Sequence, residues 1–103
     1  MTDYLADVRR YDATANADIV GGIVKHLGVA LHNPDSASVS GDNPKELERI
    51  RESWCAKKLG VTDADRCDTV IRLVGETMAG DKPKSRVTFY YLVAKHLGKL
   101  GEI

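Results

Sequence analysis

The sequence has almost no excess of charge: fifteen Lys or Arg stand against fifteen Asp or Glu, and the formal net charge is zero. A dedicated nucleic-acid binder usually carries a marked basic excess, so this balance speaks against that class. Cysteine is scarce, with Cys55 and Cys67 alone, which is no framework for an oxidised, secreted scaffold. Long apolar runs are missing too, none approaching the ~20 residues of a membrane-spanning helix. The opening Met1-Thr2-Asp3-Tyr4-Leu5 lacks the basic and apolar regions of a signal peptide. A cytoplasmic protein is therefore expected, with no membrane partner. Metal-ligand spacings are lacking as well: the three His and two Cys form neither Cys-x-x-Cys nor His-x-x-x-His. No metal and no cofactor is expected. Gly75 to Lys82 resembles a phosphate loop only superficially, because Asp81 takes the place of the Lys that must follow the second Gly.

What is present is ordinary for a globular chain, with 43% apolar and 29% charged residues. A length of 103 residues makes one domain, residues 1–103, able to bury about 60–65% of its unfolded surface. Tyr4, Leu5, Val8 and Tyr11 form one apolar stripe of a short first helix. Asn16 caps a second, with Ile19, Val20, Ile23, Val24 and Leu27 as its buried face. Gly21 and Gly22 inside it cost about 1 kcal/mol each relative to Ala, and so mark a close backbone approach or a hinge. Residues 32–42 read as a surface loop. Asn43-Pro44-Lys45-Glu46 is a start signal, with Asn as cap and Pro at the first position. It opens a helix carrying Leu47, Ile50 and Trp54 as far as Gly60. Thr62 with Asp65 reads as a capping box for a fourth helix, along which Cys67, Val70, Ile71, Val74 and Met78 step.

The string Lys-(His or Lys)-Leu-Gly recurs at Lys25–Gly28, Lys57–Gly60 and Lys95–Gly98. Each copy reads as a helix C-terminus, with cations facing the negative end of the dipole and Gly supplying the left-handed turn. The final helix spans Pro83 to Gly98. Between Asp81 and Glu102 it meets no acid but five Lys or Arg. The expectation is a helix packing the core with one side and showing a basic edge on the other, or laying that edge against the acidic fourth helix. Trp54, Phe89, Tyr90 and Tyr91 are core by spacing. Tyr90 and Tyr91 point about 100° apart, so one of them is expected to reach the surface. Five helices and no strand make the fold class all-α.

The chain resembles a bacterial family of short proteins classed as a domain of unknown function, numbered 2853. The residues that carry the likeness are Asp3–Val8, Ile23-Val24-Lys25, Gly28–Leu31, the Asp35 to Ser40 loop, Glu46-Leu47 with Arg49, Ala56–Gly60 and, most specifically, Lys84–Leu92. The resemblance implies a compact helical domain and transfers no catalytic or ligand residues.

From the residues themselves, the leading expectation is a non-enzymatic interaction module that binds an acidic protein partner or itself as a homodimer. Its surface would combine Lys82, Lys84 and Arg86 with Tyr91, an aromatic beside cations. The alternative is a weak nucleic-acid binder on the same edge, with Lys84, Ser85 and Arg86 as readers of a helix-turn-helix. An enzyme is the third reading, disfavoured because no acid, base and nucleophile converge at a readable spacing.

Overall fold

The computed structural model describes residues 4–32, 37–39, 43–81 and 84–103. Helix starts follow the capping chemistry. The Asn16 side chain accepts from the Asp18 amide and opens α2, Ala17–Leu27, while α1 covers Tyr4–Arg9. Asn43 accepts from the Lys45 amide and opens α3, Pro44–Arg49. At α4, Ala64–Thr77, the cap is Asp63, which accepts from the Arg66 amide. The expected Thr62 box is thus displaced by one residue, to the stronger carboxylate acceptor. The last helix, α5, runs Arg86–His96. Short 3₁₀ turns at Gly28–His32 and Leu100–Glu102 follow α2 and α5. All three Lys-x-Leu-Gly strings do end helices, with φ of +48°, +73° and +70° at Gly28, Gly60 and Gly98.

Two features depart from the all-α expectation without changing its class. A two-residue antiparallel pair joins β1, Ser38–Val39, to β2, Lys84–Ser85, with Ser38 opposite Ser85 and Val39 opposite Lys84. Lys84 and Ser85 are therefore ladder residues, and α5 starts only at Arg86. Secondly, α3 passes without a break into a π-helix, Ile50–Lys58, whose end is marked by the Leu59 amide donating to the Trp54 carbonyl. The buried residues Ile50, Trp54, Cys55 and Leu59 step by four and five. A helix bonded i to i+5 winds more slowly than an α-helix and keeps such a series on one side.

The centre of the molecule is α5. Every residue from Arg86 to Ala94 is buried, as a helix enclosed on all sides must be. It packs against α1, α2, α4, the π-helix and the small sheet. The radius of gyration is 12.3 Å, close to the about 13 Å of a compact chain of this size. The expected basic edge along α5 is thereby corrected: Arg86 is enclosed, and the helix's other cations, Lys95 and His96, are confined to its last turn.

Salt links run differently from expectation too. The acids of α4 and its following loop pair elsewhere than with α5, Asp68 with Arg51 of the π-helix and Asp81 with Arg10 after α1. The cations of α5 reach Glu46 from Arg86 and Asp12 from Lys95. What joins α4 to α5 is apolar packing and a hydrogen bond from Arg66 to the Leu97 carbonyl at 3.3 Å.

Candidate interaction surface

Of the four residues expected to form a recognition face, Lys82 lies outside the described residues. Lys84 is half-buried in β2. Arg86 is 5% exposed and Tyr91 2%. Among the described residues, then, the structure assembles no open cation–aromatic edge from Lys84, Arg86 and Tyr91. Arg86 is instead a brace: its guanidinium pairs with Glu46 of α3, donates to the Ser38 carbonyl at 3.1 Å and to the Tyr90 hydroxyl at 3.2 Å. One planar cation thus ties α3, β1 and α5 together, a task suited to its fixed fork of donors. The same burial removes Arg86 as a base reader, and with it the helix-turn-helix reading.

Tyr90 and Tyr91 are both interior, against the expectation that one surfaces. Each hydroxyl has a partner, which is what lets it be buried. Tyr91 donates to Asp12 at 2.7 Å. Asp12 also accepts from the Thr14 hydroxyl and amide and faces Lys95 at 3.3 Å. The Thr14 and Tyr91 hydrogen bonds hold the Asp12 carboxyl far below the usual carboxylate range. Burial, then the Asp12 contact, pushes Tyr91 up to about 12. These are the properties of a satisfied structural node rather than a proton-transfer pair.

The two thiols are fully buried and unpaired. Burial pushes both upward, Cys55 further with help from neighbouring Cys67. Neither is an activated thiolate. Among the described residues no three His, Cys, Asp or Glu gather as a metal site would require.

An open surface of a different origin is present. His26, in the last turn of α2, packs against Trp54 of the π-helix in a tilted ring contact with centroids 5.1 Å apart. Trp54 in turn lies 4.8 Å from Tyr90 and donates from Nε1 to its carbonyl at 3.0 Å. The Arg86 guanidinium sits 5.7 Å over the Tyr90 ring. A column of tilted ring contacts thus runs from the buried brace to a histidine at the surface. It also joins the last turn of α2 to the middle of the π-helix. Burial and the positive charge of Lys58 both lower the His26 pKa, which places Lys58 within electrostatic reach.

Lys58, half-buried near the end of the π-helix, acts electrostatically on His26, and the two helices also carry Lys25 and Lys57 at their ends. Lys25, His26 and Lys57 are exposed and Lys58 is half-buried. No acid among the described residues forms an ion pair with them. Each helix end contributes about half a negative charge, which three lysines more than offset. Cationic residues thus stand on both helices that the His26–Trp54 contact joins. Sequence reading missed this arrangement because each Lys-x-Leu-Gly string was complete as a helix stop. The recurrence of paired cations was the available signal, but only the His26–Trp54 contact shows that the helices bearing Lys25 and Lys57 meet.

Among the described residues Leu73, at 43%, is the one large apolar side chain in the open. No helix there is long and apolar enough to cross a membrane. No curated protein matches the chain. The model of the family described as protein of unknown function (DUF2853) matches residues 3–101, and the chain belongs to that family.

Proposed function

We propose that this member of the DUF2853 family is a cytoplasmic, non-enzymatic, single-domain interaction module, and that it recognises an acidic protein partner on the patch of Lys25, His26, Lys57 and Lys58. The observation that carries the reading is the His26–Trp54 contact, which joins two helices that each carry lysine at their ends. The surface offers charge rather than apolar area, since Leu73 is the single exposed large hydrophobe described. That favours an acidic partner over a homodimer, whose interface would be richer in apolar core. Of the face first expected around Lys82, Lys84, Arg86 and Tyr91, Arg86 contributes from within, over the Tyr90 ring at the foot of the aromatic column. A weak nucleic-acid binder would use the same patch, and the neutral overall charge weighs against it.

Trp54 is the only tryptophan and packs against His26, so its fluorescence reads occupancy. The test titrates the protein with a Glu-rich peptide and with a single-stranded oligonucleotide of equal charge, at low and physiological salt. The expected result is saturable peptide binding that survives physiological salt and weakens at least about tenfold in Lys57→Glu/Lys58→Glu, with the oligonucleotide bound only at low salt, as counterion release dictates. Oligonucleotide binding that persists at physiological salt would promote the alternative. Absence of binding by both would sink the module reading at this patch.

A further inference from the structure

Two glycines follow one another inside α2, where the helix interior disfavours glycine. Gly21 stands in open space, whereas a Cβ on Gly22 would lie 2.8 Å from Cγ2 of Ile103 and 3.8 Å from its carbonyl carbon. The missing side chain at Gly22 is therefore a notch, and Ile103 fills it. On a helix, the same-face neighbours of position 22 stand three and four residues away. Asp18 and Ile19 lie on one side, with exposed Lys25 and His26 on the other. Such neighbours are about 5–6 Å apart. Ile103 is thus seated one turn from the histidine that packs against Trp54.

The segment that brings Ile103 there is held lightly. It leaves α5 through Gly98, at φ +70°, and forms a single 3₁₀ turn, Leu100–Glu102. The Lys99 amide donates to the Ala94 carbonyl at 2.8 Å and the Glu102 amide to the Lys99 carbonyl at 2.9 Å. The Ile103 amide reaches the Leu100 carbonyl only at 3.4 Å. Leu100 and Ile103 are half-buried against the core, while Gly98, Gly101 and Glu102 are exposed. Glu102 makes no ion pair among the described residues. One short turn with weak hydrogen-bond geometry and two aliphatic side chains hold the segment, and segments held this way open first.

We propose that Leu100–Ile103 is an autoinhibitory strap over α2, and that the Gly22 notch it fills is a docking point for the partner. The proposal rests on the reading of Lys25 and His26 as part of a site for an acidic partner. It adds what that partner carries: a β-branched aliphatic residue with acids beside it, the chemistry that Glu102-Ile103 supplies within the chain. Closed, the strap occupies the notch. Affinity for the partner is then lowered in proportion to the fraction of molecules whose notch is open. Open, the notch receives the partner's aliphatic side chain while its acids meet Lys25 and His26.

The test uses the full chain and two Glu-rich peptides that differ only in carrying one central Ile or one central Gly. Amide exchange at Glu102, followed by NMR without peptide, reads strap opening directly. It should be about tenfold faster in Gly22→Ala than in the native protein, and unchanged in Gly21→Ala. Trp54 fluorescence then reads binding. Ile103→Gly should bind the Ile peptide about fivefold tighter than the native protein does, and the Gly peptide no tighter. Gly22→Ala/Ile103→Gly should lose that gain, because the added Cβ fills the notch. Equal Glu102 exchange in the two glycine variants would overturn the strap. So would a gain in Ile103→Gly that both peptides share, or that neither shows, and peptide binding in those cases leaves the cationic site standing. Failure of both peptides to bind any of these proteins would remove the acidic-partner reading, and the strap's role with it.

Discussion

Arg86 shows at the scale of one residue how a cation can be spent inside a fold. By charge alone it belonged to a basic edge; by contact it is the partner of Glu46, Ser38 and Tyr90. Removing one member of a buried ion pair leaves the other uncompensated, which typically costs about 3–5 kcal/mol. Arg86→Met is therefore expected to lower the urea midpoint sharply, whereas Arg86→Met with Glu46→Leu should recover most of the loss. A surface Arg would behave oppositely, with stability unchanged by the single substitution. Trp54 is constrained in a similar way, because its Nε1 donor must find an acceptor in the core and does so at the Tyr90 carbonyl.

Among the elements, α2 separates two glycines that the sequence makes look alike. A Cβ on Gly22 would lie 2.8 Å from Cγ2 of Ile103, while one on Gly21 meets nothing within 4 Å. The close approach that excuses a glycine in a helix is thus real at Gly22 and absent at Gly21. Gly21→Ala should stabilise by up to about 1 kcal/mol, the helix-propensity difference. Gly22→Ala should give no such gain in the full chain and should recover it when Ile103 is also replaced by Gly. Chemical denaturation of the four proteins completes that cycle; equal gains at both glycines would contradict the Ile103 contact. The π-helix is the second lesson at this scale. Its burial pattern of fours and fives is visible in the sequence, yet Leu47, Ile50 and Trp54 alone also fit an α-helical face.

For the molecule as a whole, carboxylates fasten residues 4–15 to the rest. Asp7 accepts from Thr88, Asp12 from Tyr91, and Asp81 from Arg10 and Tyr11. Asp12 is held far below the usual range by the Thr14 and Tyr91 hydroxyls. At Asp81 burial acts upward, but the Arg10 and Tyr11 hydrogen bonds outweigh it and the carboxyl is lowered. A depressed folded pKa gives stability that is complete above the unfolded value of about 4 and is lost as pH falls below it. His26 acts earlier. Its lowered pKa means the unfolded chain takes up the proton first, so stability begins to erode as pH drops through about 6.5. Urea midpoints measured from pH 8 to 3 should show a shallow decline near pH 6, absent in His26→Gln, and a steep one below about pH 4, made shallower in Asp81→Asn.

The sequence by itself determined the helices and their ends. Asn16, Asn43 and the three glycines after Lys-x-Leu act through bonds within a few residues, and such chemistry is legible wherever it occurs. It also determined family membership and the identity of most core residues, because apolar spacing is a local pattern. It did not determine which helix would be central. The basic residues of α5 pointed to an edge, and only the arrival of Glu46, Asp12 and the β1 carbonyl from distant parts of the chain made burial of Arg86 and Tyr91 affordable. The joining of the cationic helices was decided in the same way: Lys25 and Lys57 are more than thirty positions apart, and no local rule says that their helices meet. Tertiary structure alone supplied the contact of His26 with Trp54.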